Sequence, residues 1–241
     1  MNILITGGTS GLGKATVELL VKDGHQVYFS YLATEEFTAV ANEMEAKYPN
    51  AKAIPLNFCE AESVDGFCEQ MKAWELDVLV NCTYVGKPQN TYFHKTAPED
   101  FLKAFEMNII PTVKITQAAI EGMKKKKFGK IINIITESVL GLPPMGYTLY
   151  ACNKAYLMKL SDVVNKEYTR YNITSNCILP AYMQTSFATV DERILEQMQL
   201  EHPLKKLLTA DEVAQTIKFF VDASQQVNGV KLPINAGTML I

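Results

Sequence analysis

The sequence predicts an α/β fold, a doubly wound three-layer sandwich with helices on both faces of a seven-stranded parallel sheet. Three observations carry this. Short apolar runs alternate with longer segments of helical spacing, the rhythm of right-handed βαβ units. The first run, Asn2 to Thr6, is apolar and ends in glycines, as a strand buried on both faces does. The 241 residues, 48% hydrophobic and 20% charged, suffice for one well-buried domain and are short for two. Residues 1–241 therefore read as a single domain.

Taken in order, Gly11 to Asp23 has helical spacing through Ala15, Leu19 and Leu20, and Gly24 is a natural stop. Gln26 to Tyr31 reads as the second strand, Glu35 to Lys47 as a helix, and Ala51 to Leu56 as the third strand. A helix from Glu60 to Trp74 and a strand from Asp77 to Asn81 follow. After the loop Cys82 to Thr96 comes a helix from about Pro98 to Lys126, with a bend expected near Pro111. Lys130 to Ile135 is the fifth strand, Thr148 to Tyr171 the next helix, and Thr174 to Leu179 the sixth strand. Ala181 to Pro203 reads as polar and irregular, a lid over about residues 182–203. A helix from Asp211 to Ser224 and a strand from Val230 to Ile234 close the chain.

Charge and composition narrow the partners. A net charge of −3 points to neither nucleic acid nor an anionic membrane. The basic run Lys124 to Lys127 reads as a solvated helix end, where cations suit the dipole. No stretch approaches the ~20 apolar residues of a membrane span. The N-terminus enters a strand pattern at once, with no signal peptide. Cys59, Cys68, Cys82, Cys152 and Cys177 are odd in number and scattered, which suits reduced thiols in a cytoplasm. His25, His94 and His202 are isolated, so no metal is assigned.

Two motifs carry chemistry. Thr6-Gly7-Gly8-Thr9-Ser10-Gly11-Leu12-Gly13 joins the first strand to the first helix. At that position backbone N–H groups and a helix N-terminus cradle a pyrophosphate. Tyr150 and Lys154 lie one helical turn apart, a candidate acid/base unit in which the ammonium would lower the phenol's pKa. The same spacing occurs at Tyr48 and Lys52, where Pro49 argues for a helix end and a turn. After the second strand, Ser30-Tyr31-Leu32-Ala33-Thr34 has no carboxylate to meet an NAD ribose, which favours NADPH; it has no arginine for the 2′-phosphate either.

With these motifs placed, nearly the whole chain resembles the short-chain dehydrogenase/reductase family, most closely its 3-oxoacyl-carrier-protein and acetoacetyl-CoA reductase branch. The resemblance implies a Rossmann-type sheet and a cofactor site made of Gly7, Thr9, Ser10, Gly11, Leu12 and Gly13. To these it adds Tyr31, Asn57, Phe58, Asn81 and Thr83, then Pro180, Ala181, Met183 and Thr185, with Tyr150 and Lys154 shared by cofactor and catalysis. Asn108 matches the family's helix asparagine, expected to hold a water that returns the proton. Val227-Asn228-Gly229 and Asn235-Ala236-Gly237 match its C-terminal pattern.

Three departures stand out. Asn81-Cys82-Thr83-Tyr84 replaces the family's Asn-Asn-Ala-Gly, which puts bulk near the adenine ribose. Asn57 replaces an aspartate that meets the adenine. For the catalytic serine, counting from Gly129 along the strand favours Thr136, counting back from Tyr150 favours Ser138, and Glu137 lies between.

The resemblance implies NADPH or NADP as cofactor, with NADH possible. It implies a small carbonyl substrate, free or bound to a carrier protein or CoA, and a homotetramer or dimer formed by the helices Pro98–Lys126 and Thr148–Tyr171. Phe101, Phe105 and Leu157 could serve that contact or fill the core. Two other readings remain open: a reductase of a sugar or secondary-metabolite ketone, and a non-catalytic dinucleotide-binding sensor or scaffold.

Overall fold

The computed structural model describes residues 1–88, 91–185, 187 and 191–238. Its first half runs β1 (Asn2–Ile5), α1 (Gly11–Lys22), β2 (Gln26–Tyr31), α2 (Glu35–Lys47), β3 (Ala51–Pro55), α3 (Ala61–Met71) and β4 (Val78–Asn81). The second half runs α4 (Pro98–Lys126), β5 (Gly129–Ile134), α5 (Thr148–Tyr168), β6 (Ile173–Pro180), α6 (Glu192–Glu201), α7 (Ala210–Asp222) and β7 (Lys231–Ile234). The seven strands form one sheet in the order β3-β2-β1-β4-β5-β6-β7, and every pairing is parallel. The order reverses between β1 and β4, which opens a crevice at the carboxyl ends of those strands.

Alternation along β1 separates the two apolar layers. Ile3 and Ile5 face α1 and α7 with Val17, Leu20, Val213, Ile217 and Phe220. Leu4 faces the other side with Phe67, Trp74, Ile115, Ala119 and Met123 of the α3 and α4 layer. Each such fully buried Leu, Ile or Phe contributes roughly 1.5–3 kcal/mol. The edge strands carry prolines, Pro55 in β3 and Pro233 in β7, positions where a missing N–H costs little.

The expected boundaries hold to within a few residues. α4 is one helix through Pro111, and its last turn carries Lys124, Lys125 and Lys126, with Lys127 in a left-handed cap. Tyr48 caps α2 and Lys52 lies in β3, so the second Tyr-x3-Lys match is the helix end and strand start expected of it.

The lid is corrected in part. Instead of irregular chain from Ala181 to Pro203, the structure has helix α6, started by Asp191, whose carboxylate accepts from the Arg193 N–H at 2.9 Å. None of its residues is fully buried, though Leu195 and Met198 are half-buried and Met198 lines the cavity, so the polar composition that suggested a loop belongs to a largely exposed helix. Residues 186 and 188–190 of the expected lid lie outside the described residues. Among the described residues no helix is long and apolar enough to cross a membrane.

Candidate active site

The crevice at the strand ends is a cavity of about 580 Å³, within the size range of small-molecule sites. One end is the glycine loop. Gly7 turns at φ +76° and donates its N–H to Ser30 Oγ at 3.0 Å, tying the loop to β2. A Cβ on Gly13 would lie 1.9 Å from the Gly7 carbonyl oxygen, so α1 packs against the loop at a distance only glycine allows. No side chain caps the start of α1, and its first turn has no acid. That leaves a bare helix N-terminus facing the cavity, and the cradle fits a pyrophosphate. Thr9, Ser10, Gly11 and Leu12 line it as well.

The other predicted cofactor residues fall along the same cavity, with one exception. Tyr31, Asn57 and Phe58 line the end beside β2 and β3, and Thr83 stands over Gly7. Asn57 is turned onto its own loop, with its amide 2.8 Å from Glu60 Oε1 and its oxygen taking the Cys59 N–H at 3.0 Å. Pro180, Ala181, Met183 and Thr185 line the opposite wall, Thr185 close enough to touch Gly11. Asn81 is the exception. It is buried beneath the site and donates to Thr116 at 3.1 Å and Asn133 at 2.9 Å, joining β4 to β5.

At the centre stand Tyr150 and Lys154. Tyr150 is half-buried with Thr136 beside its phenol, and desolvation holds that phenol above the usual range. Thr136 Oγ1 lies 3.3 Å from Ser138 Oγ and also accepts the Ser138 N–H at 3.3 Å. Three hydroxyls therefore run from Tyr150 through Thr136 to Ser138, with Thr136 the one beside the phenol. The ammonium of Lys154 donates to the Ile134 carbonyl at 2.7 Å and lies 5.9 Å from the Tyr150 ring centre. Burial lowers the Lys154 pKa to about 8. The influences on the phenol are burial, which raises it, and Thr136, which opposes that; the lowering by Lys154 that the pairing alone suggested is not among them.

Asn108 is buried in α4 with its carboxamide fully engaged. Its oxygen takes the Val85 N–H at 2.6 Å, and its amide reaches the Val85 and Ala104 carbonyls at 3.3 and 3.1 Å. The side chain fastens the loop after β4 and does not line the cavity.

The family model described as short chain dehydrogenase matches residues 1–193. The chain belongs to the short chain dehydrogenase family. A 3-oxoacyl-[acyl-carrier-protein] reductase FabG from Aquifex aeolicus is 28% identical over 240 residues, covering 97% of this chain and 95% of that protein. FabG from Escherichia coli is 28% identical over 247 residues, covering 99% and 97%. Among solved structures, ElxO with NADP bound superposes with a TM-score of 0.86 at 26% identity, covering 98% of this chain and 97% of that one.

Membership makes this chain an oxidoreductase, and its departures from the family pattern become informative. Tyr84 does not crowd the adenine end as its position in the motif suggested. Its ring meets Tyr150 edge-on at 4.9 Å, sits 5.3 Å from the Lys154 ammonium, and bonds Asn153 through its hydroxyl. Thr6, named in the glycine loop but given no role of its own, takes the Cys82 and Thr83 N–H groups on its hydroxyl at 2.9 and 3.0 Å and so shapes that loop. Sequence reasoning missed the aromatic wall of Tyr147, Tyr182 and Phe187. No spacing rule links these residues; the loop before α5 and the segment after β6 bring them together.

Proposed function

We propose that the chain is a cytoplasmic, NADPH-preferring reductase that converts a ketone to a secondary alcohol, with residues 1–241 acting as one catalytic domain. β-Keto acyl compounds are the class to which its FabG relatives point. The observation that carries the reading is the convergence of Tyr150, Thr136 and buried Lys154 on one cavity, opposite an uncapped glycine cradle.

The glycine loop and the α1 N-terminus would hold the pyrophosphate. No carboxylate lines the end of β2, so nothing there repels a 2′-phosphate, which supports NADPH over NADH. When bound, the nicotinamide supplies the hydride that reduces the carbonyl carbon.

Tyr150 donates its phenolic proton to the oxygen. A phenol held above its usual range stays protonated at neutral pH, the form a reduction requires. Thr136 donates a hydrogen bond as negative charge develops on that oxygen, with Ser138 supporting it. The Lys154 ammonium, anchored to Ile134, adds positive charge to the same end of the cavity. Asn108 keeps the loop carrying Tyr84 and Val85 in place.

Tyr150→Phe tests the assignment. Its rate of NADPH consumption with a ketone panel should fall by about 10²–10⁴-fold while NADPH affinity is retained. Wild-type turnover in that variant removes Tyr150 from the mechanism. A second reading, reduction of a polar metabolite ketone, is favoured by one feature: the carboxylate of Glu137 on the cavity wall.

A further inference from the structure

Glu137 follows directly on Thr136 and opens the short helical turn Glu137–Val139 at the end of β5. It lines the cavity that holds Tyr150 and Lys154. Its Oε2 is shielded from solvent and has no hydrogen-bond partner, and neither oxygen takes part in an ion pair among the described residues. The cavity's other charged side chain, Lys154, is turned to the Ile134 carbonyl and the Tyr84 ring. A partly desolvated carboxylate without a cation is costly, and such groups in a binding cavity are paired by what binds there.

The surroundings indicate what that is. Glu137 and Thr136 are consecutive residues that both line the cavity holding the proton donor Tyr150, with Thr136 beside its phenol. Tyr147 and Phe187 each pack 6.0 Å from the Tyr150 ring and Tyr84 at 4.9 Å, so the wall around the phenol is aromatic. A thioester or ester carbonyl presents only acceptors and would be repelled by a carboxylate; an ammonium group satisfies the charge.

Resting on the reading of this cavity as a carbonyl-reducing site, and on its polar-ketone form over the β-keto acyl one, we propose that Glu137 selects substrates that carry a protonated amine close to the ketone. Glu137 then acts as a specificity residue, and a plain acyl chain is the poorer ligand.

The test is a binding comparison in the presence of NADP⁺, where no reduction occurs. The probes are α-aminoacetophenone and propiophenone, which differ in having an ammonium or a methyl group at one position. Wild-type protein should bind the amine at least about tenfold more tightly, and Glu137→Gln should bind the two alike. Glu137→Ala serves as a second variant. Loss of an unpaired carboxylate should leave both variants melting no lower than wild type, which separates lost recognition from lost folding.

Equal affinities in the wild type, absence of binding included, would overturn the proposal. So would a preference that survives in both variants. Turnover of either ketone with NADPH is read separately. An amine preference that depends on Glu137, without reduction of either ketone, would sink the reductase reading and leave the recognition by Glu137 standing.

Discussion

At the residue scale the site turns on how burial changes two titrating groups in opposite senses. Burial lowers Lys154 to about 8 and holds Tyr150 above the usual phenol range. Raising pH through about 8 removes the lysine's charge before the phenol ionises. The rate of ketone reduction should therefore be sustained below pH 8 and decline above it, the decline reporting Lys154. A pH profile that stays flat until about pH 10 would assign the limb to an ordinary phenol instead. The hydroxyls separate by substitution. Thr136, which bonds the phenol, should be the more sensitive: Thr136→Val should lower kcat by about 10²-fold or more, and Ser138→Ala by less than tenfold. The reverse order in steady-state kinetics would move the catalytic role to Ser138.

At the element scale, the turn from β1 into α1 governs cofactor binding because it brings backbone against backbone. A Cβ at Gly13 would fall 1.9 Å from the Gly7 oxygen, a contact that only a backbone shift can relieve. Gly13→Ala should cost about 1–3 kcal/mol, a fall of several degrees in thermal midpoint, and should weaken dinucleotide binding more than it weakens folding. Calorimetry and a dinucleotide titration on the same preparation measure both. The loop after β4 is held by different means: Thr6, just past β1, and Asn108 from α4 grip its backbone, which brings the Tyr84 ring to the catalytic pair. Helix α6 is started by the Asp191 cap and an acid in its first turn, Glu192, and only partly buries Leu195 and Met198.

At the scale of the whole molecule, α4 and α5 leave apolar side chains in solvent. Leu102 and Ile110 of α4 are 68% and 42% exposed, and Tyr156 and Val163 of α5 are 45% and 44% exposed. Leu157 is not among them: it is buried with Ile109 and Leu179, so of the three residues left between core and contact this one fills the core. Phe105 stacks edge-on against Tyr156 at 5.1 Å, at the margin of that face. An apolar face of this kind suits a subunit contact, and we expect a dimer or tetramer in sedimentation at micromolar concentration, with Leu102→Glu shifting it toward monomer. A monomeric wild type would count against that assembly.

Local patterns were enough for the strands, the parallel sheet and every helix but α6. A fully apolar run and a helical period each report burial directly, and βαβ handedness leaves few ways to connect them. The same is true of the glycine loop and of the pair Tyr150 and Lys154, whose spacing is their geometry. Tertiary structure alone decided the rest, since the outcome depended on contacts between segments distant in the chain. It set Thr136 rather than Ser138 against the phenol, spent the Asn108 carboxamide on Val85, and turned Tyr84 to the catalytic pair. It also reversed the expected effect on Tyr150, because desolvation is a property of everything packed around a group, and a neighbour one turn away is only one part of that.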